Sequence, residues 1–168
     1  MALPGAIGSR PDPVKAYNFL ISLLDTSSAL ALSSSLALSA ITDIALGGFT
    51  ECSGLEMTLD VESYKEGGNN GGQLKFPTRV NWSNITLKKG VGASTALWDW
   101  HYGFVEGRGK RRDGIIILQN DLQVPNTIWY FRRGLPVKYT GPTLNASQNN
   151  VAIEAIEIAH EGIYQVPL

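Results

Sequence analysis

The chain has 168 residues, enough for one domain whose core needs no disulfide. Its 14 basic residues face 15 acidic ones, a formal net charge of -1, which excludes the basic excess of a dedicated nucleic-acid binder. Cys52 is the only cysteine, so an internal disulfide and a cysteine-rich metal centre are excluded, and it reads as a small buried hydrophobe.

Met1 to Pro13, with Pro4, Gly5, Gly8, Pro11 and Pro13, reads as an extended arm. It lacks the basic-then-apolar layout of a signal peptide, so the sequons at Asn81, Asn84 and Asn145 carry no weight. Tyr17, Phe19, Ile21 and Leu23 alternate along a first strand buried mostly on one face. Residues 25–46 form a low-complexity insert, uncharged between Asp25 and Asp43 and too diluted by serine to span a membrane. Ser33-Ser34-Ser35 between two Leu-Ala-Leu runs suits a hairpin; Ala and Leu content suits a helix equally.

From Gly47 to Val91 the pattern is most ordered. Met57, Leu59 and Val61 alternate with Glu56, Thr58, Asp60 and Glu62, the two-residue period of a half-buried strand. The loop Gly67 to Gly72 reverses the chain, and Val80, Trp82, Ile85 and Leu87 line a return strand. The change of parity between Trp82 and Ile85 predicts a β-bulge at Ser83-Asn84. Ser94 or Thr95 can cap a short helix from Thr95 to about Glu106, with Leu97, Trp98, His101, Tyr102 and Val105 as its packed face.

Beyond the basic run Arg108 to Arg112, Ile115 to Leu118 is an apolar strand. Thr127 to Arg133 forms another, which Gly134 and Pro136 break before Val137-Lys138-Tyr139. Val151 to His160 fits a helix or a strand. The fold class is mostly β, in the α+β sense: two packed sheets in a sandwich or barrel-like arrangement, one short α-helix and a long β-hairpin, in a single domain spanning 1–168.

Reactive groups are sparse. His101 lies within an aromatic helix face and His160 far from it in sequence; there is no nucleophile elbow, zinc-binding His-Glu-x-x-His or kinase motif. No Gly-Lys-Ser/Thr closes Gly67 to Gly72, so it is no phosphate loop. No catalytic, cofactor-binding or metal-binding residue is expected, and no cofactor. Charges are uneven, with five acids and two bases from Glu51 to Lys75 but seven bases and three acids from Arg79 to Asp113. Faces of opposite sign suit the docking of like subunits.

Several blocks, in order, carry a resemblance. These are Gly-Phe-Thr-Glu-Cys-Ser-Gly-Leu-Glu (48–56), Tyr-Lys-Glu-Gly-Gly (64–68), Asn-Ile-Thr-Leu-Lys-Lys-Gly-Val (84–91) and Leu-Trp-Asp-Trp (97–100). Pro-Val-Lys-Tyr-Thr-Gly-Pro (136–142), Leu-Asn-Ala-Ser (144–147) and Val-Ala-Ile-Glu-Ala-Ile-Glu-Ile-Ala-His-Glu-Gly (151–162) follow. Across nearly the whole chain the sequence resembles the inner tube proteins of contractile phage tails and related injection systems. It departs from them at the 25–46 insert.

The resemblance implies hexameric rings stacked into a hollow tube that a contracting sheath drives through a target envelope, conducting DNA or protein effectors. Partners would be further copies of the chain, the sheath, baseplate or hub proteins and a terminator, with assembly in the bacterial cytoplasm and no direct membrane anchor. It also implies a strand for the last element. Glu66, Gly67, Gly68, Asn69, Asn70, Gly71, Gly72 and Gln73 would form a projecting loop that bears on the adjacent ring. The polar faces Glu56/Thr58/Asp60/Glu62 and Asn84/Thr86/Lys88 are candidates for the lumen or an intersubunit surface. The alternative is a small β-barrel module binding a ligand or nucleic acid through Trp98, Trp100, Tyr102 and the basic run; an enzyme using His101 or His160 is a third reading.

Overall fold

A computed structural model describes residues 14–25, 48–68, 71–92 and 94–166. The arm 1–13, all of the 25–46 insert beyond Asp25, and Asn69 and Asn70 of the loop lie outside them.

Among the described residues, nine strands and one helix follow in the order β1 (Phe19–Asp25), β2 (Phe49–Ser53), β3 (Met57–Tyr64), β4 (Leu74–Trp82), β5 (Ile85–Gly90), α1 (Ala96–Val105), β6 (Arg112–Gln119), β7 (Pro125–Thr140), β8 (Ile153–Ala159) and β9 (Ile163–Val166). A seven-stranded sheet runs β1-β6-β7-β8-β5-β2, with β9 also on β7, and β3 and β4 make a separate two-stranded sheet. Among the described residues, neither closes into a barrel.

The larger sheet folds over on β7. This 16-residue strand pairs β6 and β9 along its first half and β8 along its second. Arg133, at φ 51, turns the backbone at the midpoint. The Arg132 amide donates to the Gly162 carbonyl at 3.2 Å and the Glu161 amide to the Arg132 carbonyl at 3.0 Å, so the ladder continues across the gap between β8 and β9. Strand continuity here corrects the break expected at Gly134 and Pro136: a local bend absorbs both residues while pairing is kept.

The two halves meet in one core. Ile21, Leu23, Ile116 and Phe131 face Ile85, Leu87, Ile156 and Ile158, and α1 adds Leu97 and Trp100. The last ambiguous element is thus a strand, its Glu154, Ile156 and Ile158 turned inward by the two-residue period.

Two further expectations change. Ser83-Asn84 is no bulge inside one strand but the crossing from the small sheet to the large one, since β4 pairs β3 whereas β5 pairs β2 and β8. The parity switch marks a change of sheet. The crossing is pinned, because the Ser83 carbonyl accepts from His160 Nε2 at 2.9 Å and the Ser83 amide donates to the Glu56 carbonyl at 3.3 Å.

The helix begins one residue later than expected and turns a different face inward. Leu97 and Trp100 are buried and Phe104 packs against the core, whereas Trp98, Tyr102 and Val105 are exposed. Trp100 is drawn in because its indole N–H finds the Lys110 carbonyl at 2.8 Å. Trp98 instead stacks on Tyr102, with ring centres 5.7 Å apart, and meets Tyr139 edge-on. Thr95 occupies the N-cap position, but its hydroxyl donates to Asp99 at 2.7 Å and caps no backbone N–H.

Candidate assembly surface

The β3–β4 hairpin has almost no interior. Every residue of β3, and every residue of β4 except Trp82, is exposed. Met57, Leu59 and Val61, expected to be half-buried, are 71%, 53% and 51% exposed in the single chain. An apolar surface of this kind, on strands that among the described residues pair only with each other, is an aggregation hazard unless it is covered. Among the described residues, β1 and β2 end the larger sheet as open edges.

The hairpin's register is irregular at one point. Met57 lies opposite Trp82 and Leu59 opposite Val80, but Val61 lies opposite Pro77 and Tyr64 opposite Leu74. Asp60 is therefore matched by two residues, Thr78 and Arg79, the signature of a β-bulge in β4. The Thr78 hydroxyl donates to the Asp60 carbonyl at 3.0 Å and Asn81 Nδ2 donates to the Asp60 carboxylate at 2.7 Å, which holds the bulge in place.

The predicted polar residues fall into two groups on different sheets. On the hairpin, Thr58 donates to the Asn81 carbonyl at 3.5 Å, the Glu56 carboxylate accepts from Ser83 at 3.4 Å, and Glu62 is exposed. Asn84, just before β5, and Lys88 on it bind acids of neighbouring strands: Asn84 Nδ2 donates to Glu157 at 2.7 Å, and Lys88 pairs with Glu51 at 2.9 Å. Thr86 is half-buried opposite Glu157, on the face of β5 away from the core. Of the loop, Glu66, Gly67, Gly68, Gly71, Gly72 and Gln73 are exposed, with Gly68 at φ 90.

Gly54, just before β3, explains part of the quoted motif. Its φ of 87 suits glycine, and a Cβ there would sit 2.0 Å from the Asn84 carbonyl oxygen. The chain entering the hairpin thus passes against the chain leaving it.

The residues that invited chemical readings have structural partners. Arg112 lies over the Trp100 ring at 5.4 Å, Arg111 pairs with Glu161 at 3.1 Å, and Arg108 pairs with Glu106. His101 donates from Nδ1 to the Pro136 carbonyl at 3.2 Å. Burial, with a smaller push from Glu51, raises the Cys52 thiol to about 11, so it carries no thiolate at neutral pH. Among the described residues no cluster of histidine, cysteine and carboxylate groups could hold a metal ion. No described helix is long and apolar enough to cross a membrane.

A family model described as T4-like virus tail tube protein gp19 matches residues 16–164. The chain belongs to that family. It is a structural tube subunit of a phage-tail-like particle. A chain in the six-fold symmetrised cryo-EM structure of the anti-feeding prophage baseplate is 25% identical, with a TM-score of 0.75 over 92% of this chain and 95% of that one. A chain of the sheath-tube complex of PVC, an extracellular contractile injection system, in its extended state, is 24% identical, with a TM-score of 0.75 over 95% of both. A chain of the anti-feeding prophage tube terminating cap is 23% identical, with a TM-score of 0.78 over the full length of both. No curated protein sequence matches the chain.

Against that background the sequence missed Tyr64, Leu74 and Phe76, which give the far end of the hairpin an apolar surface of its own. Their alternation was legible, but not the bulge that decides which face they take.

Proposed function

We propose that six copies of this chain close into a ring and that rings stack into a hollow tube. The observation that carries this reading is the β3–β4 hairpin, apolar, exposed on both sides and, among the described residues, paired only with itself. A head-to-tail contact repeated around an axis covers such a surface and leaves growth along the axis open. The six-fold symmetry of the anti-feeding prophage baseplate, which contains a similar chain, supports the number six.

The same likenesses support a sheath around the tube, a baseplate or hub at one end and a terminator at the other. The tube acts without catalysis. It assembles in the bacterial cytoplasm and conducts DNA or protein cargo when the sheath contracts. The loop from Glu66 to Gln73 bears on the adjacent ring, and the polar faces of β3 and β5 line the lumen or an intersubunit surface.

Negative-stain microscopy of the purified protein tests the proposal. Rings of six and stacked tubes are expected; a dispersed monomer at every concentration and salt condition overturns it.

A further inference from the structure

The bulge in β4 divides the hairpin's apolar surface in two. Residues directly opposite in an antiparallel ladder share a face, and along β3 the faces alternate. One face therefore carries Met57, Leu59 and Val61 with Trp82, Val80 and Pro77, then Ser63 and Lys75 near the tip. The other carries Thr58, Asp60 and Glu62 with Asn81 near the base, then Tyr64, Leu74 and Phe76 at the tip. If β4 alternated regularly through Thr78 and Arg79, Phe76 and Leu74 would continue the row of Trp82 and Val80. With the bulge, the hairpin has a base patch on one side and a tip patch on the other.

We infer that these patches are covered by two different copies of the chain: the base patch by the next subunit of the same ring, the tip patch by a subunit of the stacked ring. This rests on the tube reading above and assigns residues to its two contacts. One flat partner cannot cover both sides of a two-stranded ribbon. The base patch adjoins the protomer's body, where Trp82 lies 6.2 Å from the His160 ring, so its partner sits alongside. Tyr64 is about 23 Å further along β3 than Met57 at the usual rise per residue, so the tip reaches away from the body. Charge also favours a second copy. The polar half of the tip-patch face carries Asp60 and Glu62, and the same chain exposes Arg132 and Lys138 on β7.

Two double variants separate the contacts. Leu59→Glu with Val80→Glu should leave monomers, because ring closure is lost. Leu74→Glu with Phe76→Glu should leave rings that do not stack. Sedimentation and negative-stain microscopy read the assembly state, and circular dichroism confirms that each variant keeps its fold. If both double variants stop at the same stage, or the tip variant builds normal tubes, the division into two contacts is overturned while the tube reading stands. If the unmodified protein forms neither rings nor tubes, both fall.

Discussion

Lys89 and Glu154 stand directly opposite each other on β5 and β8, with 3.3 Å between ammonium and carboxylate, and their side chains are only 5% and 7% exposed. Each continues a core row, Lys89 after Ile85 and Leu87, Glu154 before Ile156 and Ile158. The second carboxylate oxygen of Glu154 accepts from the Tyr139 hydroxyl at 2.7 Å, and burial followed by that bond raises Tyr139 to about 12. A shift of β5 against β8 by one residue would set Lys89 opposite Ile153 or Ala155 instead of its acid, so the pair favours the observed register.

Breaking this pair on one side should be costly. Lys89→Met strands a buried carboxylate and is expected to destabilise the protomer by about 3–5 kcal/mol, whereas Lys89→Met with Glu154→Leu should recover most of the loss. Urea unfolding of the two variants checks this; equal losses would mean that the charge pairing is irrelevant.

His160 predicts a pH dependence. Its Nε2 donates to the Ser83 carbonyl and its Nδ1 accepts from the Gly162 amide, an arrangement only the neutral ring can make. Burial holds its pKa below the ordinary 6.5, outweighing the two hydrogen bonds. The unfolded chain therefore takes up a proton first as pH falls, and stability is lost from about pH 6.5 downwards through the folded pKa. His160→Gln should lose less melting temperature between pH 7 and pH 5 than the unmodified protein; an unchanged loss would exclude this histidine as the cause.

Gly54→Ala should lower the melting temperature by several degrees, through an unfavourable φ worth ~1–3 kcal/mol and a clash with the Asn84 carbonyl of comparable cost. Gly68→Ala, with a similar φ of 90 but nothing within 4 Å, carries only the first cost. Equal effects would show that the close approach at Gly54 contributes nothing.

Deleting Gly67 to Gly72 should leave a folded protomer that closes into rings without stacking, as seen by microscopy together with circular dichroism. Normal tubes from this variant would remove the loop from the inter-ring contact.

The strands of the core were legible because their period and composition agree: Ile115 to Leu118 and Phe19 to Leu23 can be little else. The Ser83-Asn84 crossing was misread because a bulge and a change of sheet give the same switch of parity. The helix face was misread because an aromatic-rich helix offers two stripes of the same period, and the one containing Trp100 wins through a carbonyl ten residues away. The hairpin's exposure was invisible for a deeper reason. Alternation at Met57, Leu59 and Val61 marks the two faces of a strand without saying whether the chain's own core covers either. The Lys89–Glu154 pair did leave a signal, since two consecutive lysines in a strand cannot both point to solvent on the same side.

The continuity of β7 has a consequence for how this chain can vary in length. Because one strand serves as the ruler for both halves of the large sheet, a residue added or removed between 125 and 140 would put the two halves out of phase, turning inward-facing side chains such as Pro136 outward. Residues 141–152, mostly exposed and outside any strand, lie between β7 and β8 and have no such phase to keep. Insertions that preserve the tube subunit belong there, and a tag placed in that loop should be carried without disturbing either half.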